Sequence, residues 1–306
     1  MQVKENIELA KQSVLGVSIG DAFGDSFFGA IENIDEYIYR RKIPCTRWEF
    51  TDDTVMSIAI LEELETDGHI NQDRLVKRFI KNLELDPNRG YGATLRMIMR
   101  EIADGKMWQD VSPTVFDGQG SMGNGAAMRV CPLGAYYYND LERVKNEAIL
   151  ASEITHSNTE AINGAIAVAI STALATRNRI NKQSMHPNEF LDSVCVFLDD
   201  TDTKSKIEKA KHIPISYHIQ TIKHILGNGT NMTAQDTVPF ALWCVANYMQ
   251  NFEEALWKAI SILGDRDTIC AIVGGITIMN ANPSTIPNLW TESVEDYNYS
   301  VFRNNN

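Results

Sequence analysis

The sequence predicts an almost all-helical protein, and two observations carry this prediction. Apolar residues recur with helical periodicity in several long segments, whereas the strict alternation that indicates half-buried strands is scarce. The composition, 44% hydrophobic and 22% charged, is that of an ordinary globular protein and excludes disorder and low-complexity scaffolds. At 306 residues the chain is long enough to bury a sizeable core.

Near the N-terminus, a predicted helix carries small residues at every fourth position, Gly16, Gly20 and Gly24. Residues with this spacing share one helix face, so we expect close helix packing around a capped or buried Asp21. The next segment, residues 34–39, is predicted as a short strand or an irregular excursion.

Two further helices follow from apolar periodicity. One is predicted to begin near Thr54, with Val55, Ile58 and Ala59 on a common face. The other contains the longest apolar stretch, residues 165–175, which is rich in alanine and typical of a buried, closely packed helix.

Two more helices are predicted in the C-terminal third. One opens at Pro239, with Asp236 and Thr237 as capping candidates, because proline is favoured at the first helical position. The other follows Asp267 and continues with helical apolar spacing.

The sequence predicts one domain spanning residues 1–306, with a C-terminal tail over about residues 291–306. Residues 199–211 and 227–230 are interpreted as surface connections, and neither has the length or Pro/Ser richness of a domain linker.

Charge and motif content narrow the function classes. With 28 Lys and Arg against 40 Asp and Glu, the formal charge is −12, which repels nucleic acids and anionic membranes. Residues 1–11 lack the basic start and apolar core of a signal peptide, and five scattered cysteines predict neither a disulfide framework nor a thiolate zinc site. We expect a cytoplasmic monomer without nucleic-acid or membrane partners.

Two acidic motifs lie at predicted helix starts: Thr51-Asp52-Asp53-Thr54 and Gly264-Asp265-Arg266-Asp267-Thr268. Each motif alone fits helix capping or first-turn acids favoured by the helix dipole. Together, adjacent carboxylates would repel each other unless a cation lies between them. Hard cations such as Mg²⁺ prefer carboxylate and hydroxyl oxygens, so the pair of motifs favours a site for two metal ions.

A glycine-rich run and a histidine are weaker signals. Gly123, Asn124 and Gly125 could let backbone N–H groups approach a phosphate, although a plain flexible loop fits the same residues. His156 lies just before the alanine-rich helix, where a hydrogen-bonded structural role is the alternative to ligand binding.

In this order, the motifs resemble those of the ADP-ribosylglycohydrolase family. The resemblance covers nearly the whole chain, and it rests on residues 16–24, 48–56, 89–92, 123–134, 155–156, 238–242, 265–275 and 286–290. It implies an all-α orthogonal multi-helix bundle with a central cleft that holds two Mg²⁺ ions, for which Mn²⁺ could substitute.

The resemblance also implies roles for residues at matching positions. The metal ligands would be Thr51, Asp52, Asp53, Asp265, Asp267 and Thr268, with Asp267 bridging the two ions. Contacts with ADP-ribose would come from Gly123, Asn124, Gly125, His156, Tyr91 and Gly92. The implied reaction removes ADP-ribose from a modified protein side chain, most readily arginine.

The chemistry required by such a reaction agrees with these residue types. Cleavage of a ribosyl bond passes through an oxocarbenium-like transition state, which needs an oriented ribose, an activated water and a protonated leaving group. Two metal ions can supply the first two requirements. Asp52, Asp53 and Asp265 are candidates for moving protons.

The sequence departs from the family pattern at three places. Many members carry a glutamate where this chain has Phe28, small residues occur where it has Ile278 and Met279, and residues 182–231 contain no family motif. Glu32, one helical turn after Phe28, is the predicted acid or base if that helix continues, and Asp25 is the alternative.

Two other functions fit the same motifs. The protein could hydrolyse a small ADP-ribosyl metabolite, or it could bind ADP-ribosyl groups or a toxin without catalysis, as an immunity protein would.

Overall fold

A computed structural model describes residues 2–29, 33–44 and 47–303. Within them the chain forms helices and short 3₁₀ turns and no β-strand, with isolated bridges pairing Trp48 with Val294 and Gly123 with Thr233. The α-helices are α1 Gln2–Asp25, α2 Ile34–Tyr39, α3 Asp52–Asp67, α4 Gln72–Leu85, α5 Ala93–Ala103, α6 Trp108–Val111, α7 Val115–Gly118, α8 Cys131–Tyr136, α9 Leu141–Glu153, α10 Thr159–Asn181, α11 Pro187–Cys195, α12 Asp202–Ala210, α13 Ile219–Leu226, α14 Ala234–Tyr248, α15 Phe252–Ile260, α16 Arg266–Thr277 and α17 Asn288–Ser293. The all-helical prediction is confirmed.

Helices α1 and α16 form the most extensive helix pair. A Cβ atom at Gly20 would overlap the carbonyl of Cys270, and one at Gly16 would overlap the carbonyl of Gly274; Gly24 is equally restricted. The predicted close packing of this small-residue face is therefore confirmed, and it brings the end of α1 against the start of α16.

Helix α10 is the buried centre of the fold and packs against α8, α9 and α14. Asn158 caps its N-terminus by accepting a hydrogen bond from the N–H of Glu160 at 2.9 Å. Among the described residues, α10 is the one helix with the length and apolar composition of a membrane span, and 83% of its apolar window is buried inside the fold. The prediction of a buried helix is confirmed.

Two segments differ from their predictions because polar caps make short helices where periodicity is weak. Residues 34–39, expected to be a strand or irregular, form α2, and Asn33 accepts a hydrogen bond from the N–H of Glu36. The predicted connection at residues 199–211 contains α12, capped by Thr201, and buries Ile207 against the core.

The predicted helix start at Pro239 is wrong, because α14 begins five residues earlier, at Ala234. Proline inside a helix leaves the carbonyl four residues before it without its usual donor. Here that carbonyl belongs to Gln235, and the Lys206 ammonium group donates to it at 2.9 Å. A distant lysine thus satisfies the hydrogen bond that Pro239 cannot make.

An aromatic cluster fixes the end of α1 on which the candidate site depends. Phe23 stacks on Trp290 with ring centroids 4.6 Å apart and makes edge contacts with Trp48 and Trp257 at 5.5 and 5.1 Å. These rings are buried, so they hold α1, α15 and α17 together beside the first turn of α16.

Candidate active site

The first acidic motif forms the start of α3. Helix α3 begins at Asp52, two residues before the predicted position, with Thr51 as its N-cap. The Thr51 hydroxyl oxygen accepts a hydrogen bond from the N–H of Asp53 at 3.3 Å. Both aspartates are buried in the first turn, where the helix dipole favours negative charge.

Asp21, inside α1, anchors this helix start from behind. One of its oxygens accepts from the N–H groups of Thr51 and Thr54 at 2.9 and 3.1 Å and from the Thr54 hydroxyl at 2.5 Å. The other accepts from the Thr51 hydroxyl at 2.8 Å. Burial raises the pKa of Asp21 to about 7, while the hydrogen bond from Thr54 lowers it and the charge of Asp267 raises it.

Asp21 is buried, as predicted, but its contact with the acidic motif was not predicted. A carboxylate inside a buried, glycine-rich helix face is costly without partners. That cost is the sequence signal that could have indicated a polar partner across the interface.

The second acidic motif forms the start of α16. Asp265 occupies the N-cap position but does not cap the helix with its side chain. Its Oδ2 atom instead accepts a hydrogen bond from Asn124 Nδ2 at 2.5 Å, and its N–H donates to the carbonyl of Asn228 at 3.1 Å. A Cβ at Gly229, which has φ +80°, would overlap the Asp265 side chain.

The connection at residues 227–230 is thus a loop, as predicted, but it is not wholly a surface segment. Asn228 and Gly229 are buried beneath the start of α16. The tight approach at Gly229 places this loop in contact with the acidic site.

The two helix starts meet. The hydroxyl oxygen of Thr268 lies 3.4 Å from Asp53 Oδ2, which links the first turn of α16 to the first turn of α3. All six residues of the predicted metal set therefore belong to two adjoining helix starts: Thr51, Asp52, Asp53, Asp265, Asp267 and Thr268.

Burial and mutual repulsion disfavour the ionised form of the carboxyl groups in this cluster. Burial raises the pKa of Asp52 and of Asp53 well above the ordinary range, and nearby carboxylates raise both further. Burial, followed by the charge of Asp265, raises the pKa of Asp267 to about 7. The cluster is therefore costly to ionise without a compensating cation.

Two oxygens in the cluster lack partners. Asp53 Oδ1 and Asp267 Oδ1 are buried and make no hydrogen bond in the described part of the chain. Buried polar atoms are rarely left unsatisfied, and hydroxyl and carboxylate oxygens are the donors that Mg²⁺ prefers. Across the same described residues, no three carboxylate, imidazole or thiolate groups stand together at the spacing of a formed metal centre. The donor types and the unpartnered oxygens fit a divalent metal.

The glycine-rich run packs against α10 and α14 and contacts the acidic cluster. Gly123 N–H donates to the Ser121 hydroxyl oxygen at 3.1 Å, and Asn124 N–H donates to the carbonyl of Met232. Asn124 also joins the run to α14 through a 3.0 Å hydrogen bond from its Nδ2 to the Thr237 hydroxyl oxygen. Asn124 therefore couples this run to Asp265 across the site.

His156 packs against the same run. A Cβ at Gly123 would lie 2.9 Å from His156 Nε2, and one at Gly125 would lie 3.1 Å from His156 Cε1. A Cβ at Gly123 would force the imidazole to shift, and one at Gly125 would crowd it. Burial, and then the charge of Arg129, lowers the pKa of His156 to about 3.

Tyr91 and Gly92 belong to a segment that lies near Asp52 of the acidic cluster. Tyr91 is buried with an unpartnered hydroxyl oxygen, and burial together with the charge of Asp52 raises its pKa. Gly92 caps α5, is exposed and has open space around its Cα. A Cβ at Gly90 would lie 3.2 Å from Asp52 Oδ1, so this segment borders the first acidic motif.

The predicted acid or base, Glu32, lies outside the described residues. Phe28, at the position where the resemblance implies a glutamate, is 47% exposed, and the Arg266 guanidinium lies 4.1 Å above its ring. Burial, and then the charges of Asp267 and Glu49, raises the pKa of Asp25 to about 6. The alternative carboxyl, Asp25, is therefore electrostatically coupled to the acidic cluster.

Similarity to known proteins identifies the family of this chain. The model of the ADP-ribosylglycohydrolase family matches residues 3–304. The chain belongs to the ADP-ribosylglycohydrolase family. Membership makes the protein an enzyme of the hydrolase class and confirms the resemblance on which the site was first assigned.

This ADP-ribosylglycohydrolase is similar to named relatives at low sequence identity. The human ADP-ribosylhydrolase ARH3 is 27% identical over 322 residues, covering 92% of this chain and 88% of the relative. The ADP-ribosylarginine hydrolase Tri1 of Pseudomonas putida is 22% identical, with coverage of 95% and 75%. A solved ADP-ribosylglycohydrolase-related protein complex superposes with a TM-score of 0.66 at 20% identity, covering 95% of this chain and 94% of that chain, which supports the fold.

The three departures from the family pattern have separate places in the structure. Besides Phe28, Ile278 and Met279 are buried at the end of α16, where Ile278 faces Gly16 of α1. Residues 182–231 contain α11, α12 and α13. Two surface cavities of this ADP-ribosylglycohydrolase, of about 490 and 300 Å³, lie beside Glu292 and beside His186, away from the acidic cluster.

Proposed function

We propose that this ADP-ribosylglycohydrolase uses two Mg²⁺ ions to hydrolyse the bond between ADP-ribose and a modified protein side chain. The observation that carries the proposal is the meeting of two acidic helix starts in which Asp53 and Asp267 each keep a buried, unpartnered oxygen. Mn²⁺, which also accepts oxygen ligands, is proposed as a substitute.

The residues of both helix starts would hold the metals. Thr51, Asp52 and Asp53 would bind from α3, and Asp265, Asp267 and Thr268 would bind from α16. When bound, the ions would orient ribose hydroxyls and lower the pKa of a bound water. Asp21 would keep the α3 ligands in place through its four hydrogen bonds.

The glycine-rich run would bind the diphosphate part of the substrate. Because Gly123 and Gly125 have no side chains, the imidazole edge of His156 lies directly against their backbone. Asn124 would keep this surface in register with Asp265 through its 2.5 Å hydrogen bond. Tyr91 and Gly92 would border the ribose.

Departure of the side chain needs a proton donor near the glycosidic bond. Glu32 is the proposed donor, and Asp25 is the second candidate. The raised pKa of Asp25, about 6, would let its carboxyl group carry a proton near neutral pH.

Arginine is the proposed acceptor. The relative Tri1, which is named as an ADP-ribosylarginine hydrolase, supports this choice. Serine-linked and Glu/Asp-linked ADP-ribose are the competing protein substrates.

The test is incubation with peptides carrying ADP-ribose on Arg, Ser or Glu/Asp, with Mg²⁺ or with EDTA, followed by quantification of free ADP-ribose. We expect Mg²⁺-dependent release, fastest from arginine. The Asp267→Asn variant is the inactive control, because asparagine keeps the shape of the side chain and removes its charge. Binding of ADP-ribosyl peptides without release from any of them would favour the non-catalytic alternative. Release only from small ADP-ribosyl compounds would favour the metabolite alternative.

A further inference from the structure

A fully buried arginine connects the core to the candidate substrate loop. Arg129 is 0% exposed, and its guanidinium lies 4.7 Å from the ring centroid of Phe79. Its Nη2 atom donates to the carbonyl of Ala151 at 2.6 Å and to the hydroxyl oxygen of Thr155 at 2.8 Å.

The Arg129 guanidinium is held in place by a carbonyl group at the C-terminal end of α9. The last four carbonyl groups of a helix have no donor within the helix, so they need hydrogen-bond donors from other groups. At the end of α9, Gln72 donates to Leu150, Ser112 donates to Glu153, and the N–H groups of residues 155 and 156 donate to Ser152. Arg129 supplies the remaining donor, to Ala151, and its charge is favourable at a helix C-terminus.

This arrangement dictates the direction of the next hydrogen bond. A guanidinium only donates, so the Thr155 oxygen must accept from Arg129. The Thr155 hydroxyl proton then has two possible acceptors: His156 Nδ1 at 2.7 Å and the Ser152 carbonyl at 3.5 Å. The first distance is that of a normal hydrogen bond and fits either direction, because the Thr155 oxygen has a second lone pair that could accept from an Nδ1–H. In that reverse arrangement the hydroxyl proton would have only the Ser152 contact, which is at the limit of a hydrogen bond, so donation to His156 Nδ1 is favoured.

We infer that Arg129 and Thr155 hold His156 as the neutral tautomer whose proton is on Nε2, making that N–H a fixed donor to an anionic oxygen at the glycine-rich run. Nδ1 is occupied as an acceptor, and Nε2 faces the backbone of Gly123. The donor assignment rests on the proposed function, because the anionic oxygen would belong to the diphosphate of ADP-ribose. Arg129 and Thr155 act through His156 and are positioning residues.

Electrostatics support the same state. Burial lowers the pKa of His156 to about 3, and the neighbouring Arg129 charge acts in the same direction. The ring is therefore neutral at physiological pH, and its two nitrogens have distinct roles. Without the Thr155 hydroxyl, nothing in the described surroundings of Nδ1 would select between the two tautomers.

The experiment compares the wild type, Thr155→Val and Thr155→Ser. Valine keeps the branched shape and removes the hydroxyl, whereas serine retains the hydroxyl as the matched control. The tautomer is read from long-range ¹H–¹⁵N NMR correlations of the His156 ring, assigned with a His156→Asn variant. Binding of free ADP-ribose is measured by calorimetry, and thermal unfolding checks that each variant folds.

We expect the Nε2–H tautomer in the wild type and in Thr155→Ser, and a mixture of tautomers in Thr155→Val. The dissociation constant for ADP-ribose should rise about tenfold in Thr155→Val, as for loss of one charge-assisted hydrogen bond, and less than about threefold in Thr155→Ser. A proton on Nδ1 in the wild type would overturn the inference.

Unchanged ADP-ribose affinity in Thr155→Val, despite a changed tautomer, would overturn the assignment of Nε2–H as a ligand donor. Failure of the wild type to bind ADP-ribose would count against the proposed function, while the ring tautomer would still decide whether Arg129 and Thr155 orient His156.

Discussion

Replacing Asp21 by alanine should destabilise the fold by removing the anchor of α3. The N–H groups of Thr51 and Thr54 would lose their acceptor in buried surroundings, which costs about 1–3 kcal/mol each. Relief of the repulsion between Asp21 and Asp267 offsets part of this cost. We therefore expect the free energy of unfolding to fall by about 2–4 kcal/mol.

Asp25 provides the matched control on the same helix, one turn further along. It is half-buried, and its side chain makes no hydrogen bond to the described residues. Asp25→Ala should change the free energy of unfolding by less than about 1 kcal/mol. Asp21→Asn keeps an acceptor oxygen, so its free energy of unfolding should lie between those of Asp21→Ala and the wild type.

The assay is urea unfolding followed by circular dichroism, with EDTA present so that metal binding does not contribute to stability. Equal destabilisation by Asp21→Ala and Asp25→Ala would refute the anchoring argument. A loss of less than about 1 kcal/mol in Asp21→Ala would refute it as well.

Four further predictions concern the site. Asp267→Asn should abolish turnover and weaken Mg²⁺ binding in calorimetry while leaving the far-ultraviolet circular dichroism unchanged; full activity would exclude Asp267 as a metal ligand. Glu32→Gln should slow single-turnover cleavage of an ADP-ribosylarginine peptide more than Asp25→Asn does, with little change in ADP-ribose affinity, and the reverse order would reassign the acid. The pKa of His156 is about 3 in the folded protein and 6.5 ordinarily. As the pH falls below about 6.5, His156 therefore takes up a proton in the unfolded chain but not in the folded protein, and the free energy of unfolding declines. Between pH 7.5 and pH 5, the free energy of unfolding measured with urea should fall by about 2 kcal/mol less in His156→Asn than in the wild type. The same pH dependence of stability in both proteins would contradict a neutral buried ring. Gly123→Val should weaken ADP-ribose binding, since its side chain would displace the His156 ring, without reducing Mg²⁺ affinity; unchanged ADP-ribose affinity would make this run a connector only.

Local sequence determined the helices that have strong periodicity or side-chain caps. Thr51 and Asn158 fix the starts of α3 and α10, because their side chains accept hydrogen bonds from N–H groups within the first turns of these helices, although apolar periodicity placed the start of α3 two residues later. The start of α14 could not be predicted this way. The donor that compensates for Pro239 is Lys206, which is distant in sequence and is brought to Gln235 only by the packing of α12 against α14.

The chemistry of the candidate site was also partly local. Doubled aspartates at two helix starts predict a cation from sequence alone, although the strongest repulsion on Asp52 and Asp53 comes from Asp21 and Asp267, which lie on other helices. The contact between Thr268 and Asp53 joins residues 215 positions apart, so it exists only once α1 has packed against both α3 and α16.

The sequence by itself determined the helical class, the glycine face of α1 and the oxygen-rich motifs, since each depends on the type and spacing of neighbouring residues. Tertiary structure alone decided that Asp21 anchors the first acidic motif and that Arg129 orients Thr155. Both are buried polar groups whose partners come from other helices, and the cost of burying them unpaired is what makes those distant contacts specific.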